Sequence, residues 1–446
     1  MKRFIYIIGA FLALTAHAQD ENTFQSSDLS QPWSLRQCID YALEHNISIK
    51  QQENNVKNQE VNLSTAKNSR LPNLQASANE SLGFGRGLTS NNTYANRNTQ
   101  STSLDISTSV PLFTGGQIPN QIKQNKLNLQ AALAELDRAK ENVSMQVVSA
   151  YLEAVYQKDL VAVAERHKEL SIAQARRVEI LFNNGKVSET ELAEARAHVA
   201  SDELSLTQQR NSSMLALLDL SQLLELPSPD GFDIQQPEAG DPSAVLLTAP
   251  DIIYSEALGI KPQILASKLS VQSAEKSVKI AQAGFYPTVY FSGGMGSSYY
   301  KTSGFEAASF GKQMDDNFNQ YLGLSVSIPI FNRFATRNAV RTARLQVAAQ
   351  QLQLDETKKT LYKEIQQAYY NALAAQKQCV SSDAARESSQ TAFDLMQKKY
   401  ENGKATATEY QESKTNLQKA EATALQSRYT FLFRQKILEF YRGVNF

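Results

Sequence analysis

The chain has 446 residues, and its 45 basic and 45 acidic side chains give no sign of a nucleic acid or an anionic surface as partner. Its two cysteines, Cys38 and Cys379, are too few for a disulfide framework. We expect both to be small buried apolar side chains, with a bridge between them as the less favoured alternative.

The N-terminus is typical of an export signal. A basic pair, Lys2-Arg3, precedes an apolar stretch over residues 4–14, and Ala16-His17-Ala18 resembles a cleavage site. Residues 1–18 are therefore predicted to be a signal peptide, and Gln19 in place of cysteine argues against a lipid anchor. No later run of about 18 apolar residues follows, so the sequence predicts an exported chain without a membrane-spanning helix.

The rest of the sequence consists of two similar repeats. Two short motifs recur at an offset of 218 residues, Pro111-Leu112-Phe113 as Pro329-Ile330-Phe331 and Asn184-Gly185-Lys186 as Asn402-Gly403-Lys404. A period this long is a duplicated half rather than a solenoid unit. We predict a first repeat over residues 19–226, a linker over 227–250 rich in Pro, Asp and Gly, and a second repeat over 251–446.

Each repeat is predicted to open with a helix and continue into a β-hairpin. The helices span residues 35–68, with Ser34 as N-cap, and residues 251–283. The hairpins span about 73–113 and 287–331, with polar loops over 86–100 and 300–319. Leu104, Ile106, Thr108 and Val110 alternate with polar residues, which is typical of a strand with one apolar face. Strands of 10–13 residues have the length for crossing a bilayer at a tilt, and strands of a soluble sandwich are the alternative.

The rest of each repeat is predicted to be a long helical hairpin. Residues 120–183 and 333–401 lack proline and are rich in Ala, Leu, Gln, Glu and Lys, so each forms a helix of about 100 Å in a coiled coil. The Asn-Gly-Lys motifs have the chemistry of helix ends, and they place the hairpin tips at about 184–190 and 402–408. Returning helices follow over 188–226 and 406–441.

Four strands in one chain require further chains if they stand in lipid, because open edges would leave backbone groups unpaired in hydrocarbon. Two chains would give an eight-stranded barrel filled by side chains, and three would give twelve strands with room for water. The serine-rich face of the strands favours three chains. The helices then lie on the periplasmic side.

An ordered set of motifs runs along the chain: Trp33-Ser34-Leu35 with Ala42-Leu43, the prolines Pro72 and Pro287 before the hairpins, the Pro-Leu-Phe and Pro-Ile-Phe strand ends, and both Asn-Gly-Lys tips. This set resembles the TolC-like outer-membrane efflux family over nearly the whole mature chain.

The resemblance implies a mainly helical fold with a membrane β part. Long helical coiled-coil hairpins and two β-hairpins would trimerise into a twelve-stranded barrel and a periplasmic helical tunnel. It further implies a location in the outer membrane of a Gram-negative bacterium. The function implied is a passive export duct of a tripartite efflux or type I secretion system, with a periplasmic adaptor and an inner-membrane RND or ABC transporter as partners.

The resemblance also implies roles at the second tip. Family acids six and nine positions after the tip glycine line the entrance, and they correspond here to Glu409 and Glu412. Three copies would form a ring of carboxylates that selects cations and raises its own pKa values by repulsion. The alternative is that both only solvate a helix surface. Glu191 and Glu194 repeat the pattern in the first copy, at positions that belong to the family's outer hairpin.

Further family positions concern the closed state of the entrance. The contacting tyrosine corresponds to Tyr400 and its Thr-acid partner pair to Thr190 and Glu191, whereas the family's second latch, an arginine, is replaced by Ala405. An ordinary packed aromatic is the alternative for Tyr400. Gly185, Lys186, Gly403 and Lys404 form the expected adaptor-facing rim.

No catalytic, cofactor or metal motif accompanies these positions. The mature histidines, His45, His167 and His198, lack metal-type spacing, and we expect His167 and His198 to be exposed. Two other function classes stay open, a periplasmic coiled-coil scaffold without a pore and, less favoured, a helical hydrolase. The sequence does not indicate which substrate is exported.

Overall fold

In the computed structural model, residues 31–88, 92–236 and 246–444 are described. The signal peptide and part of the predicted linker, residues 237–245, lie outside them. The helices are α1 Leu35–His45, α2 Ile47–Asn68, α3 Gln117–Asn183, α4 Glu189–Leu223, α5 Pro250–Ile260, α6 Pro262–Ala283, α7 Phe310–Asp316, α8 Ala335–Glu401 and α9 Ala407–Tyr441. The strands are β1 Asn73–Gly83, β2 Arg86–Leu88, β3 Tyr94–Asn96, β4 Thr99–Thr114, β5 Thr288–Thr302 and β6 Asn319–Ser327.

The duplication extends to the length of every major helix. In each copy helices of 11 and 22 residues precede the strands, and helices of 67 and 35 residues follow them. The two 67-residue helices are each about 100 Å long, as predicted. Within the described residues, no helix combines the length and low polarity needed to cross a membrane.

The opening helix of each copy is broken, whereas a single helix was predicted. Ser34 does cap α1, through a capping box with Gln37. Asn46 then ends α1 and starts α2: its side chain accepts a hydrogen bond from the backbone N–H of Ser48 at 2.9 Å and donates one to the Leu223 carbonyl at 3.1 Å. In the second copy the break falls at Lys261, because Pro262 cannot continue a helix but suits its first turn.

The four long strands form one antiparallel sheet in the order β1-β4-β5-β6. Its register places apolar residues in common rows, for example Ala76, Ile106 and Met295, and polar or small residues in the alternate rows, for example Ser77, Asp105 and Gly296. The predicted alternation is therefore a property of the whole sheet, which has one apolar and one polar face. Within the chain, β1 and β6 are the two edges of this sheet.

Two details of the β-hairpins differ from the prediction. β6 ends at Ser327 instead of residue 331, since Pro329 cannot donate a ladder hydrogen bond and lies beyond Thr288, where its partner strand begins. β4 instead continues through Pro111 with a register shift before Phe113. The loops are also structured: β2 pairs with β3 in the first, and α7 lies in the second.

The described part of the predicted linker packs against the first copy. Phe232 and Ile234 are buried in a cluster with Trp33, whose backbone pairs with that of Ile234. The Tyr151 hydroxyl lies 3.1 Å and 2.6 Å from the carbonyl oxygens of Trp33 and Gln235. These contacts anchor the chain beyond α4 to the start of α1 and the middle of α3.

Both cysteines are buried and free, so the favoured prediction for them is confirmed. Cys38 lies in the first-copy core and Cys379 packs with Ala375 and Phe431. Burial raises the pKa of both thiols, that of Cys38 to about 12. Neither is positioned as a reactive thiolate.

Candidate functional site at the helical hairpin tips

Both hairpin tips are built by the same hydrogen bonds. At the first, the backbone N–H of Lys186 donates to the Leu181 carbonyl at 2.9 Å, and at the second, that of Lys404 donates to the Lys399 carbonyl at 2.8 Å. Gly185 and Gly403 have φ values of 69° and 70°, which L side chains rarely adopt. The four residues of the predicted rim, Gly185, Lys186, Gly403 and Lys404, are all exposed.

The first predicted entrance carboxylate, Glu409, caps its own helix. Its Oε2 accepts hydrogen bonds from the backbone N–H and the hydroxyl of Thr406, at 2.7 Å and 2.9 Å. These two bonds hold the pKa of Glu409 below its usual value. Within one chain the pKa of Glu409 is thus lowered, whereas a ring of carboxylates from three chains was expected to raise it. The cap was readable from the Thr406-x-x-Glu409 pattern.

Tyr400 is in contact with three described neighbours. Its hydroxyl accepts a hydrogen bond from Gln174 Nε2 at 2.8 Å, and its ring stacks on Tyr410 with centroids 5.0 Å apart. The guanidinium carbon of Arg177 lies 5.9 Å from the ring centroid. Burial, and to a lesser degree the charge of Glu191, raise the pKa of Tyr400. Gln174 and Arg177 were not predicted from the sequence.

A cavity of about 500 Å³ lies between the two helical hairpins. Its walls include Glu191, Glu194 and His198 from α4, and Tyr400, Tyr410 and Glu412 from α8 and α9. The structure thus brings Tyr400, Glu191 and Glu412 to one site. Glu409 and Thr190 are exposed outside this lining.

A buried lysine, Lys414, connects three helices next to this cavity. Only 1% of its surface is exposed, and its Nζ lies 2.5 Å from both Ser171 Oγ on α3 and Asp202 Oδ2 on α4. The sequence analysis missed this cluster. The sequence does contain a pattern that indicates it. Along α9, residues spaced alternately four and three apart form the seam of a coiled coil, and two of them are charged: Tyr410, Lys414, Leu417, Glu421 and Ala424.

His167 is buried, so the prediction of an exposed side chain was wrong. Only 2% of it is exposed, since α9 packs over this face of α3, and its Nε2 lies 2.9 Å from Glu421 Oε2. Burial alone would raise the pKa of Glu421, but the bonds and charges of His167 and Arg166 outweigh it and hold the pKa below its usual value. His198 is exposed, as predicted, and His45 stacks on Tyr41.

The sequence profile described as "Outer membrane efflux protein" matches residues 38–225 and 253–443. The chain belongs to the outer membrane efflux protein family. Among its relatives, the outer membrane protein TolC of Salmonella enteritidis is 23% identical over 81% of this chain and 74% of its own length.

Solved structures share the fold at low sequence identity. CusC, described as forming a transmembrane channel, matches with a TM-score of 0.75 at 16% identity over 92% of both chains. The outer membrane protein VceC of Vibrio cholerae matches with a TM-score of 0.72 at 19% identity, over 92% of this chain and 96% of its own. These findings confirm the predicted fold class.

The family also confirms the predicted function and location: the chain is an efflux channel protein of the Gram-negative outer membrane. The matching family is one of efflux proteins, and it lends no support to a coiled-coil scaffold without a pore.

Proposed function

We propose that three copies of this efflux protein form a passive duct that works with a periplasmic adaptor and an inner-membrane transporter of the RND or ABC type. The observation that carries the proposal is the four-stranded sheet, which is apolar on one face and open at β1 and β6. In lipid such edges require partners, and β6 of one chain can pair antiparallel with β1 of the next.

The polar face favours three chains over two. It carries small residues such as Ser77, Ser107, Ser292 and Ser325, which would leave a wet interior in a twelve-stranded barrel. The 67-residue helices would then extend about 100 Å into the periplasm, toward the adaptor and the inner-membrane transporter. Transport through such a duct needs no catalysis by this chain, because the transporter supplies the energy.

Glu409 and Glu412 are proposed to form the periplasmic entrance ring. Both side chains are exposed near the second tip, so three copies would contribute six carboxylates to one constriction. Only one oxygen of Glu409 is used by its cap, and its lowered pKa keeps the carboxylate charged at neutral pH.

Tyr400 and Glu191 are proposed to hold the entrance closed from within each chain, with Thr190 beside them at the start of α4. They lie on one cavity although they come from different hairpins, and Gln174 and Arg177 extend the contact to α3. The exposed tips with Gly185, Lys186, Gly403 and Lys404 are the proposed contact with the adaptor.

Ion selectivity of the purified protein in planar bilayers tests the duct and its entrance together. Glu409→Gln and Glu412→Gln are the informative variants, because glutamine preserves the capping box while removing the charge. Glu189→Gln, in the first turn of the other hairpin, is the matched control.

The wild type and the control are expected to conduct with a cation-selective reversal potential in a KCl gradient. The double variant Glu409→Gln/Glu412→Gln is expected to lose most of that selectivity. Unchanged selectivity would remove these residues from the entrance. The absence of any conductance from well-folded protein would contradict the duct itself.

A further inference from the structure

The cavity between the hairpins has the composition of a binding site for an organic cation. We propose that it binds a small molecule with a protonated amine, amidine or guanidine group on an aromatic or short alkyl body. Tyr400, Glu191 and Glu412 also belong to the proposed gate and entrance, but binding here does not require that the chain conducts.

The charge of the cavity is negative and unbalanced. Glu191 and Glu194 from α4 face the same space as Glu412 from α9, and none of the residues lining it is a lysine or arginine. In the described part of the chain none of these three carboxylates forms an ion pair, although 15 other pairs are present. A bound cation would be attracted by these carboxylates.

A second observation, independent of the carboxylates, also points to a ligand. Tyr410 is only 6% exposed and lines the cavity, yet its hydroxyl has no hydrogen-bond partner within residues 31–88, 92–236 and 246–444. Burial of the Tyr410 side chain raises the pKa of its hydroxyl to about 12, so the hydroxyl stays protonated at neutral pH. It can accept a hydrogen bond from an ammonium or guanidinium N–H.

The remaining walls suit an organic body. The stacked rings of Tyr400 and Tyr410 offer aromatic surface, on which organic cations are stabilised, and Val178, Ala195 and Ala407 are apolar. The volume of about 500 Å³ falls within the range of ~300–1,000 Å³ that is typical of small-molecule sites.

A metal ion fits the site less well than an organic cation does. Across the described residues, no three His, Cys, Asp or Glu side chains are grouped closely enough to coordinate a metal ion together. Carboxylates spread around an aromatic cavity instead match a larger cation that contacts them one at a time.

Binding can be measured by isothermal titration of benzylamine into the detergent-purified full-length protein. Benzyl alcohol has the same aromatic body without the charge, so it reports partition into the micelle. Glu191→Gln/Glu412→Gln removes two charges of the site, and Tyr410→Phe removes only the hydroxyl. Glu189→Gln, on α4 but outside the cavity lining, is the control.

Benzylamine is expected to bind saturably to the wild type and to Glu189→Gln, whereas benzyl alcohol is not. The affinity should fall about tenfold or more in the double glutamine variant, by loss of two charge interactions. It should fall about fivefold in Tyr410→Phe, by loss of one hydrogen bond.

Equal binding to all variants, or benzyl alcohol binding as well as benzylamine, would overturn the proposal. Failure to bind in a protein that still forms cation-selective pores would overturn the cation site alone and leave the duct intact. Binding in a protein that forms no pore would support the cation site and contradict the duct.

Discussion

Lys414 and Glu421 place two charges in the seam of a coiled coil, one heptad apart on α9. Each meets an opposite or polar group from another helix, Lys414 with Asp202 and Ser171, and Glu421 with His167. Buried ion pairs contribute little net stability, because desolvation of both charges offsets their attraction. We expect their role to be the alignment of the two hairpins, since any shift in register would leave buried charges unpaired.

Lys414→Met tests this alignment. It leaves the Asp202 carboxylate, whose side chain is 14% exposed, without its cation, so the free energy of unfolding should fall by about 3–5 kcal/mol. The double variant Lys414→Met/Asp202→Leu should recover most of the loss. Circular dichroism at 222 nm during denaturation in detergent measures both, with exposed Lys419→Met as the control. If the double variant is no more stable than the single one, the buried pair is not the cause.

Glu421 should make stability depend on pH. Its pKa in the folded chain lies below the usual 4.5, so it stabilises the fold above that value, and the contribution is lost as the pH falls through the lowered pKa. The wild type should therefore lose more in apparent melting temperature below about pH 4.5 than Glu421→Gln does. Parallel curves for the two proteins, measured from pH 6 to pH 3, would contradict this assignment.

At the scale of residues, the sequence predicts where a side chain lies along the chain better than it predicts which side chains it contacts. Tyr400 and Glu191 were placed in the gate by resemblance alone, and they do line one cavity. The partner of the Tyr400 hydroxyl, Gln174, comes from a helix 226 residues away in the sequence, and only the packing of the hairpins reveals it. His167 was misplaced for the same reason, because a polar helix face does not disclose that another helix covers it.

At the scale of elements, the tips depend on two glycines whose missing side chains matter only for backbone conformation. A Cβ at Gly185 or Gly403 would meet nothing within 4 Å, so substitution there introduces strain without a clash. Gly403→Ala should destabilise the tip by about 1–2 kcal/mol, and Gly403→Asn by less, because asparagine tolerates positive φ.

Hydrogen exchange of the tip amides measures this strain. Faster exchange around residue 403 in Gly403→Ala than in Gly403→Asn, with no change around residue 185, is the expected result. Equal protection in both variants and the wild type would show that the left-handed turn is not required.

Helix lengths and strand positions were predictable because they follow from composition and periodicity. The breaks in the opening helices were only partly predictable. Pro262 indicates the end of α5, but the matching break at Asn46 depends on its hydrogen bonds to Ser48 and to the distant Leu223 carbonyl. Pro111 and Pro329 occupy equivalent positions in sequence and differ in structure, because β4 has a neighbour at that height and β6 does not.

At the scale of the whole molecule, the duplication determines the architecture. Two copies with helices of equal lengths bring both β-hairpins into one sheet, through the pairing of β4 with β5. The sequence predicts this much from an offset of 218 residues. The number of chains is predicted only indirectly. The edges at β1 and β6 require neighbouring strands, but they do not determine how many chains close the sheet.

The central claim is that three chains close this sheet, and disulfide cross-linking between β1 and β6 tests it most directly. The buried Cys38 and Cys379 are first replaced by alanine, and single cysteines along β1 between residues 74 and 78 are then combined with Ser325→Cys on β6. Oxidised protein in membranes should form covalent dimers and trimers at the matching positions and nothing larger. A ladder that continues beyond three chains, or that stops at two, would contradict the trimeric duct.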